Sequence, residues 1–280
     1  MAEITAAVVK ELRERTGSGM MDCKKALAET GGDMEKAIDY LREKGLAKAA
    51  KKAERTASDG RIFHCVSEDG KLGVLLELNS ETDFVAKTDE FNELGHAIVE
   101  EIAGKNPADV NALSDEIKAQ VTATIAKLGE NIVVKRFARY AADPQGGLPA
   151  GGSRVFHYVH NNFKVGVLLE LAPASDDAEF GELGHAVCMQ IAAMNPGYIK
   201  REDVPEEVLD RERAVYRQQL LDEGKPADRL DKIIEGKLRK YFETACLIEQ
   251  EYIRDGDKRV KDLLGKSVTV KRFARFSIGE

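Results

Sequence analysis

The chain has 280 residues, enough for about two domains and a sizeable core. Hydrophobic residues make up 43% and charged residues 32%, the profile of a soluble globular protein. The net charge of −7 argues against nucleic acid as the principal partner, because phosphate binding draws on a basic surface. No apolar run approaches the ~20 residues that span a bilayer, and the N-terminus lacks the apolar stretch of a signal peptide. Cys23, Cys65, Cys188 and Cys246 stand singly, without metal-ligand spacing, so reduced thiols in a cytoplasmic protein without a membrane partner are expected.

Residues 1–55 read as a compact three-helix unit. Ile4, Val8 and Leu12 share a helical face that Gly17 and Gly19 interrupt. Met20 to Glu29 forms a second helix, closed by Gly31 and Gly32. Asp33 caps a third, with Met34, Ile38 and Leu41 inward and Gly45 after it. Leu46 to Arg55, rich in alanine and lysine, reads as a solvated helical linker.

An internal repeat organises the remainder. Arg61 to Leu78 aligns without gaps on Arg154 to Leu171, an offset of 93. Each copy reads as a β-hairpin, turning at Asp69-Gly70 and at Asn161-Asn162. A helix follows in each: Phe91, Leu94, Ile98 and Ile102 in one, Phe180, Leu183, Val187 and Ile191 in the other, both ending at Asn-Pro. Val134 to Arg139 and Val270 to Arg275 supply a third strand. The expected class is therefore α+β. A core N-terminal subdomain spans 56–140 and a C-terminal subdomain 141–280, each with a small antiparallel sheet and helices.

The copies differ in two places. Between helix and third strand the second carries 47 extra residues, an insertion at about 200–256 that reads as a helical hairpin. Val208, Val215, Leu220, Leu230, Ile234, Leu238 and Tyr241 are placed in its seam. Such an arm serves docking or dimerisation, or simply packs on its own core. The second difference is the segment Asn79 to Glu90, four residues longer than its counterpart. It puts Phe84 and Val85 beside Thr82 and Asp83. An aromatic there either packs beneath its own loop or anchors a partner.

Thr82-Asp83-Phe84-Val85 after an apolar strand resembles the hallmark motif of the elongation factor Ts family. The opening Met1-Ala-Glu-Ile-Thr, Glu11 to Gly17, Gly19 to Leu27 and Gly31 to Ile38 are similar to that family too, in order along nearly the whole chain. The resemblance implies an N-terminal ubiquitin-associated-like module and a non-enzymatic factor of protein biosynthesis. It implies binding to elongation factor Tu, in GDP-bound and nucleotide-free states, to promote GDP release and exchange for GTP, with no cofactor. It also implies contact positions. Met20, Met21 and Lys24 match contacts of the first module, Lys52 one in the linker, and Asp83 and Phe84 the pair that presses beside the magnesium and phosphate site. His160 and Ile234 match others. By residue type alone, Met20 and Met21 also read as core, and Ile234 as seam. A homodimer through the arm is a further expectation. Many family members carry a C-terminal helical module after the last strand, where this chain ends at Phe276 to Glu280.

Two rival classes would draw on other residues. An enzyme would draw on His64, Cys65, His157 or His160, but His64 and Cys65 are strand neighbours facing opposite ways. His96 and His185 beside Gly95 and Gly184 read as packing residues, and no P-loop, GxSxG or HExxH pattern occurs. An RNA-binding factor would use Lys135-Arg136 and Lys271-Arg272. Their recurrence in alternating strands reads as a solvated face.

Overall fold

The computed structural model describes residues 4–142 and 152–280, so Met1 to Glu3 of the opening run lie outside the described residues. Helices α1 (Ala6–Thr16), α2 (Met20–Glu29) and α3 (Met34–Lys52) bury Val9, Leu12, Cys23, Leu27 and Leu41 in one small cluster. Asp33 caps α3 by accepting from the Lys36 amide at 3.1 Å, as its position implies. The expected break at Gly45 does not occur. α3 continues to Lys52, and Gly45 is buried, 3.6 Å from Ala126 for a Cβ built there. Ala126 belongs to α6 (Asp115–Leu128), a helix with no strong hydrophobic period in the sequence. The small residues of the alanine-rich stretch thus form a packing face, and Ala49 rests on the core below.

Two three-stranded antiparallel sheets follow. The first has the order β1-β2-β3, with β1 Asp59–Val66, β2 Leu72–Ser80 and β3 Ile132–Ala141. The second has the order β4-β5-β8, with β4 Arg154–Val159, β5 Val165–Ala172 and β8 Thr269–Ser277. Both central strands are buried along nearly their whole length, as continuous apolar runs require. The register slips at Glu77/Leu78 in one sheet and at Glu170/Leu171 in the other. Helix α5 (Asp89–Lys105) covers one face of the first sheet and α7 (Ala178–Met194) one face of the second. Gly95 and Gly184 let the Phe63 and Phe156 rings lie directly on these helices. His96 meets the Phe63 ring edge-on and His185 the Tyr158 ring, the packing role expected of both.

The uncovered faces meet each other. Ile62, Leu75, Val155, Leu168 and Phe276 form the cluster between the sheets, and the His64 and His157 rings stack at 4.2 Å. Cys65 turns instead toward the first core. A Cβ on Gly73 would fall 2.5 Å from Val155 Cγ1, and one on Gly166 2.5 Å from Ile62 Cγ2. Arg136 and Arg272 are not simply solvated. Each Nε donates to a buried carboxylate at 2.6 Å, Glu77 and Glu170 respectively. Their guanidinium groups then lie over Phe276 and Tyr140, at 4.5 and 4.2 Å, across the contact between sheets.

The insertion forms an antiparallel pair, α8 (Glu206–Asp222) and α9 (Leu230–Ala245). Its seam holds Leu209, Leu220, Leu230, Ile234 and Leu238, with Val208 and Tyr241 at its margin, whereas Val215 is exposed. The arm closes earlier than 256. Tyr198 bridges Cys246, and Leu247 already belongs to the second core. The short strands β6 (Glu251–Tyr252) and β7 (Asp255–Arg259) lead into α10 (Val260–Leu264), which packs on that core.

Two consequences of the sheet contact can be measured. Gly166→Ala drives a methyl into Ile62, and a loss of about 1–3 kcal/mol is expected in chemical denaturation. The stacked histidines give acid sensitivity. Burial, then the neighbouring His157 and His96, push the His64 imidazole down to about 4, and burial then His185 lower that of His157. Folded values below the unfolded ~6.5 mean that the unfolded chain binds more protons between these limits. The stabilisation is complete above pH 6.5 and lost as pH falls toward 4. In His64→Phe, which retains an aromatic ring on His157, the acid slope of stability should flatten by up to about one proton.

Candidate functional site

The most exposed large apolar side chain described is Phe84, at 79%. It stands on a four-residue helical turn, α4 (Asp83–Ala86), between β2 and α5. Thr82 caps this turn by accepting from the Val85 amide at 3.4 Å. Val85 is 9% exposed and Ala86 is buried, both in the first core. Phe84 therefore does not pack beneath its loop. Val85 does, as part of the first core.

A clamp holds the start of the turn. The Thr82 amide and hydroxyl donate to the two oxygens of Glu130, at 3.0 and 2.7 Å. The Asn131 amide donates to Glu81 Oε1 at 2.7 Å, and its side-chain amide donates to the Arg55 carbonyl at 2.8 Å. Ser80 Oγ donates to the Thr82 carbonyl at 2.8 Å. Glu130 and Asn131 were missed by sequence reasoning. The signal was present: Ser80 pairs with Ile132, so antiparallel register places 130–131 opposite 81–82.

Asp83 pairs with Lys87 at 2.6 Å. The hydrogen bond from Lys87 holds its carboxyl below the usual range, with smaller help from Lys164. Lys164 lies in the β4–β5 turn, where its ammonium reaches the Asp59 carboxylate and the Gly60 carbonyl, the latter at 2.7 Å. His160, exposed in the same turn, meets the Tyr158 hydroxyl at 2.9 Å. The fold thus brings the second hairpin's turn to the end of the first sheet, beside the 82–85 segment. Lys52 is also drawn toward it. Burial, then Arg55, lower its ammonium, while Glu81 and Glu130 oppose that shift.

Met20 and Met21 are exposed, Met21 at 76%, and Lys24 is exposed with them on α2. These methionines are surface residues, not core. Ile234 is the reverse: at 4% exposed it holds the arm's seam, so its match to a contact position does not place it on a surface.

A model of the family "Elongation factor TS" matches residues 81–280, the span from the loop that carries Phe84 to the last strand. The chain is 46% identical to elongation factor Ts of Symbiobacterium thermophilum, over 100% of this chain and 93% of that protein. It is 45% identical to the Clostridium perfringens SM101 protein of the same name, and 42% to that of Trichlorobacter lovleyi, each over 99% of this chain and 93% of the relative. The chain belongs to the elongation factor Ts family. It is a translation elongation factor. Within this family member, no helix among the described residues is long and apolar enough to cross a membrane.

The clamp yields a local prediction. Glu130→Ala leaves two Thr82 donors without their acceptor, each bond being worth about 1 kcal/mol. Hydrogen exchange at the amides of residues 81–86 should quicken roughly tenfold or more, while those of α5 keep their protection.

Proposed function

We propose that this protein is a guanine-nucleotide exchange factor that binds elongation factor Tu carrying GDP and promotes GDP release, acting by binding and not by bond chemistry. The observation that carries the reading is Phe84, exposed on a turn already ordered by Glu130, Asn131 and Val85. An aromatic held rigid before docking forfeits little entropy on binding. A factor that binds the nucleotide-free GTPase better than the GDP-bound one weakens GDP by the same ratio, because linkage is reciprocal. Magnesium and charge-assisted hydrogen bonds hold the GDP phosphates, so a bulky ring beside them disturbs several strong contacts at once.

In this reading Phe84 supplies the wedge. Asp83, kept ionised by Lys87, either accepts from the partner's backbone or repels the phosphate. Met20, Met21 and Lys24 offer a docking face on a ubiquitin-associated-like module, and Lys52 and His160 flank the wedge. Val85 and Ile234 act from inside, one seating the wedge and one holding the arm. Val215 and Leu221, exposed on α8, support an arm used for docking. The matched registers of the two sheets support an origin by duplication, so that one unit provides both scaffold and counter-scaffold. The cytoplasm, where translation occurs, is the proposed location.

The test is release of labelled GDP from purified elongation factor Tu. Substoichiometric wild-type protein should accelerate it, and no acceleration at excess would refute the proposal. Phe84→Ala should slow the catalysed release by about 2 kcal/mol, roughly thirtyfold, with an unchanged thermal transition. A core phenylalanine would instead lower stability by about 3 kcal/mol or more.

A further inference from the structure

A second exposed aromatic stands on an unusual backbone. Phe163, in the β4–β5 turn, has φ +58, in the left-handed region that side chains with a Cβ avoid. The equivalent position of the β1–β2 turn is Gly70, at φ +66. Both turns close alike. The Phe163 amide donates to the His160 carbonyl at 2.7 Å, and the Gly70 amide to that of Ser67 at 2.8 Å. Both also cross to the other sheet: the Phe163 carbonyl accepts from Ile62 and the Gly70 carbonyl from Val155, each at 2.8 Å. The backbone task at this position is thus accomplished by glycine in one turn, and the ring adds nothing to it. A bulky residue retained in an unfavourable conformation points to a role for its side chain.

The ring itself is half engaged. The Arg61 guanidinium lies 3.8 Å from its centroid, yet 41% of Phe163 remains exposed. Arg61 connects it to the exchange loop. Its guanidinium donates to Asn92 Oδ1 at 2.6 Å, Asn92 Nδ2 donates to the Thr88 carbonyl at 2.6 Å, and Thr88 Oγ1 donates to the Val85 carbonyl at 2.8 Å. Next to Phe163, Lys164 is tied to Asp59, the strand partner of Ser80. A continuous set of contacts therefore joins Phe163 to the turn that carries Phe84.

We propose that Phe163 is a second aromatic contact for the same GTPase, continuing the surface that Phe84 begins and adding to docking instead of to displacement of the nucleotide. This rests on the exchange-factor reading above. Arg61 supports one face of the ring from beneath, leaving the rest to be buried by the partner. An aromatic that contributes only to docking changes the concentration needed for half-maximal exchange and leaves the maximal rate alone.

The test uses the full chain with Phe163→Gly and Phe163→Asn. Both residues tolerate positive φ, so each removes the ring and keeps the turn. The expected result is an unchanged thermal transition, an unchanged maximal rate of GDP release, and a half-saturating concentration raised about tenfold. Wild-type kinetics in both variants, with Phe84→Ala impaired, would overturn this inference and leave the exchange function standing. Loss of thermal stability, or a fall in maximal rate, would also overturn it, because the ring would then be positioning the loop. If the wild-type protein fails to accelerate release at all, both readings fall together.

Discussion

Where the two sheets cross, Gly73 and Gly166 present backbone alone, and Val155 and Ile62 occupy the space that side chains would take. Facing sheets ordinarily stand about 10 Å apart, a separation set by the side chains between them. Glycine at the crossing lets each hairpin turn reach the first strand of the other sheet. The two hydrogen bonds that result, from Ile62 to the Phe163 carbonyl and from Val155 to the Gly70 carbonyl, satisfy donors on edge strands. Because the contact is reciprocal, neither sheet can slide without breaking bonds at both ends. The second hairpin is thereby delivered to the end of the first sheet, where the chain leaves for the exposed loop.

Much of this architecture was legible in the residues. The repeat from Arg61 and Arg154 gave the hairpins, because alternating strands and turn residues leave a strong local pattern. The arm's seam was mostly readable from helical spacing, apart from Val215, which is exposed one position before the half-buried Tyr216. Other elements left no such trace. α6 buries only Ile117 and Ile125 fully, and its alanines and threonines match no strong period. Gly45 looked like a stop signal because glycine lowers helix propensity, yet close approach of α6 outweighs that cost here. Arg136 and Arg272 looked solvated because the buried glutamates that hold them lie on a different strand.

The site divides in the same way. The 82–85 segment was conspicuous because it is an insertion relative to its copy, and Phe84 has the exposure that a contact residue needs. Its support was not visible. Glu130 and Asn131 are nearly fifty residues away in sequence, and only strand register brings them opposite the loop. Val85 and Ile234 show the converse limit. A motif names positions without saying which way their side chains turn, and an apolar residue beside an exposed one on a helix is commonly the one that faces the core.

The asymmetry between the halves follows from what each has to hold. Glu170 receives the Ser153 hydroxyl as well as Arg272, so its carboxylate is bonded on both oxygens. In the first sheet the position equivalent to Ser153 is Gly60, and Glu77 Oε1 has no hydrogen-bond partner among the described residues. Leaving a buried oxygen unbonded costs stability, and Gly60 brings a compensating property. A Cβ there would strike the Leu78 carbonyl at 2.2 Å, so only glycine allows this backbone path, and its own carbonyl is free to accept the Lys164 ammonium. Glu77 thus lacks a second donor in the half where the other hairpin is tied down beside the exposed loop. The more fully bonded half carries the arm, and the less fully bonded half carries the exposed Phe84.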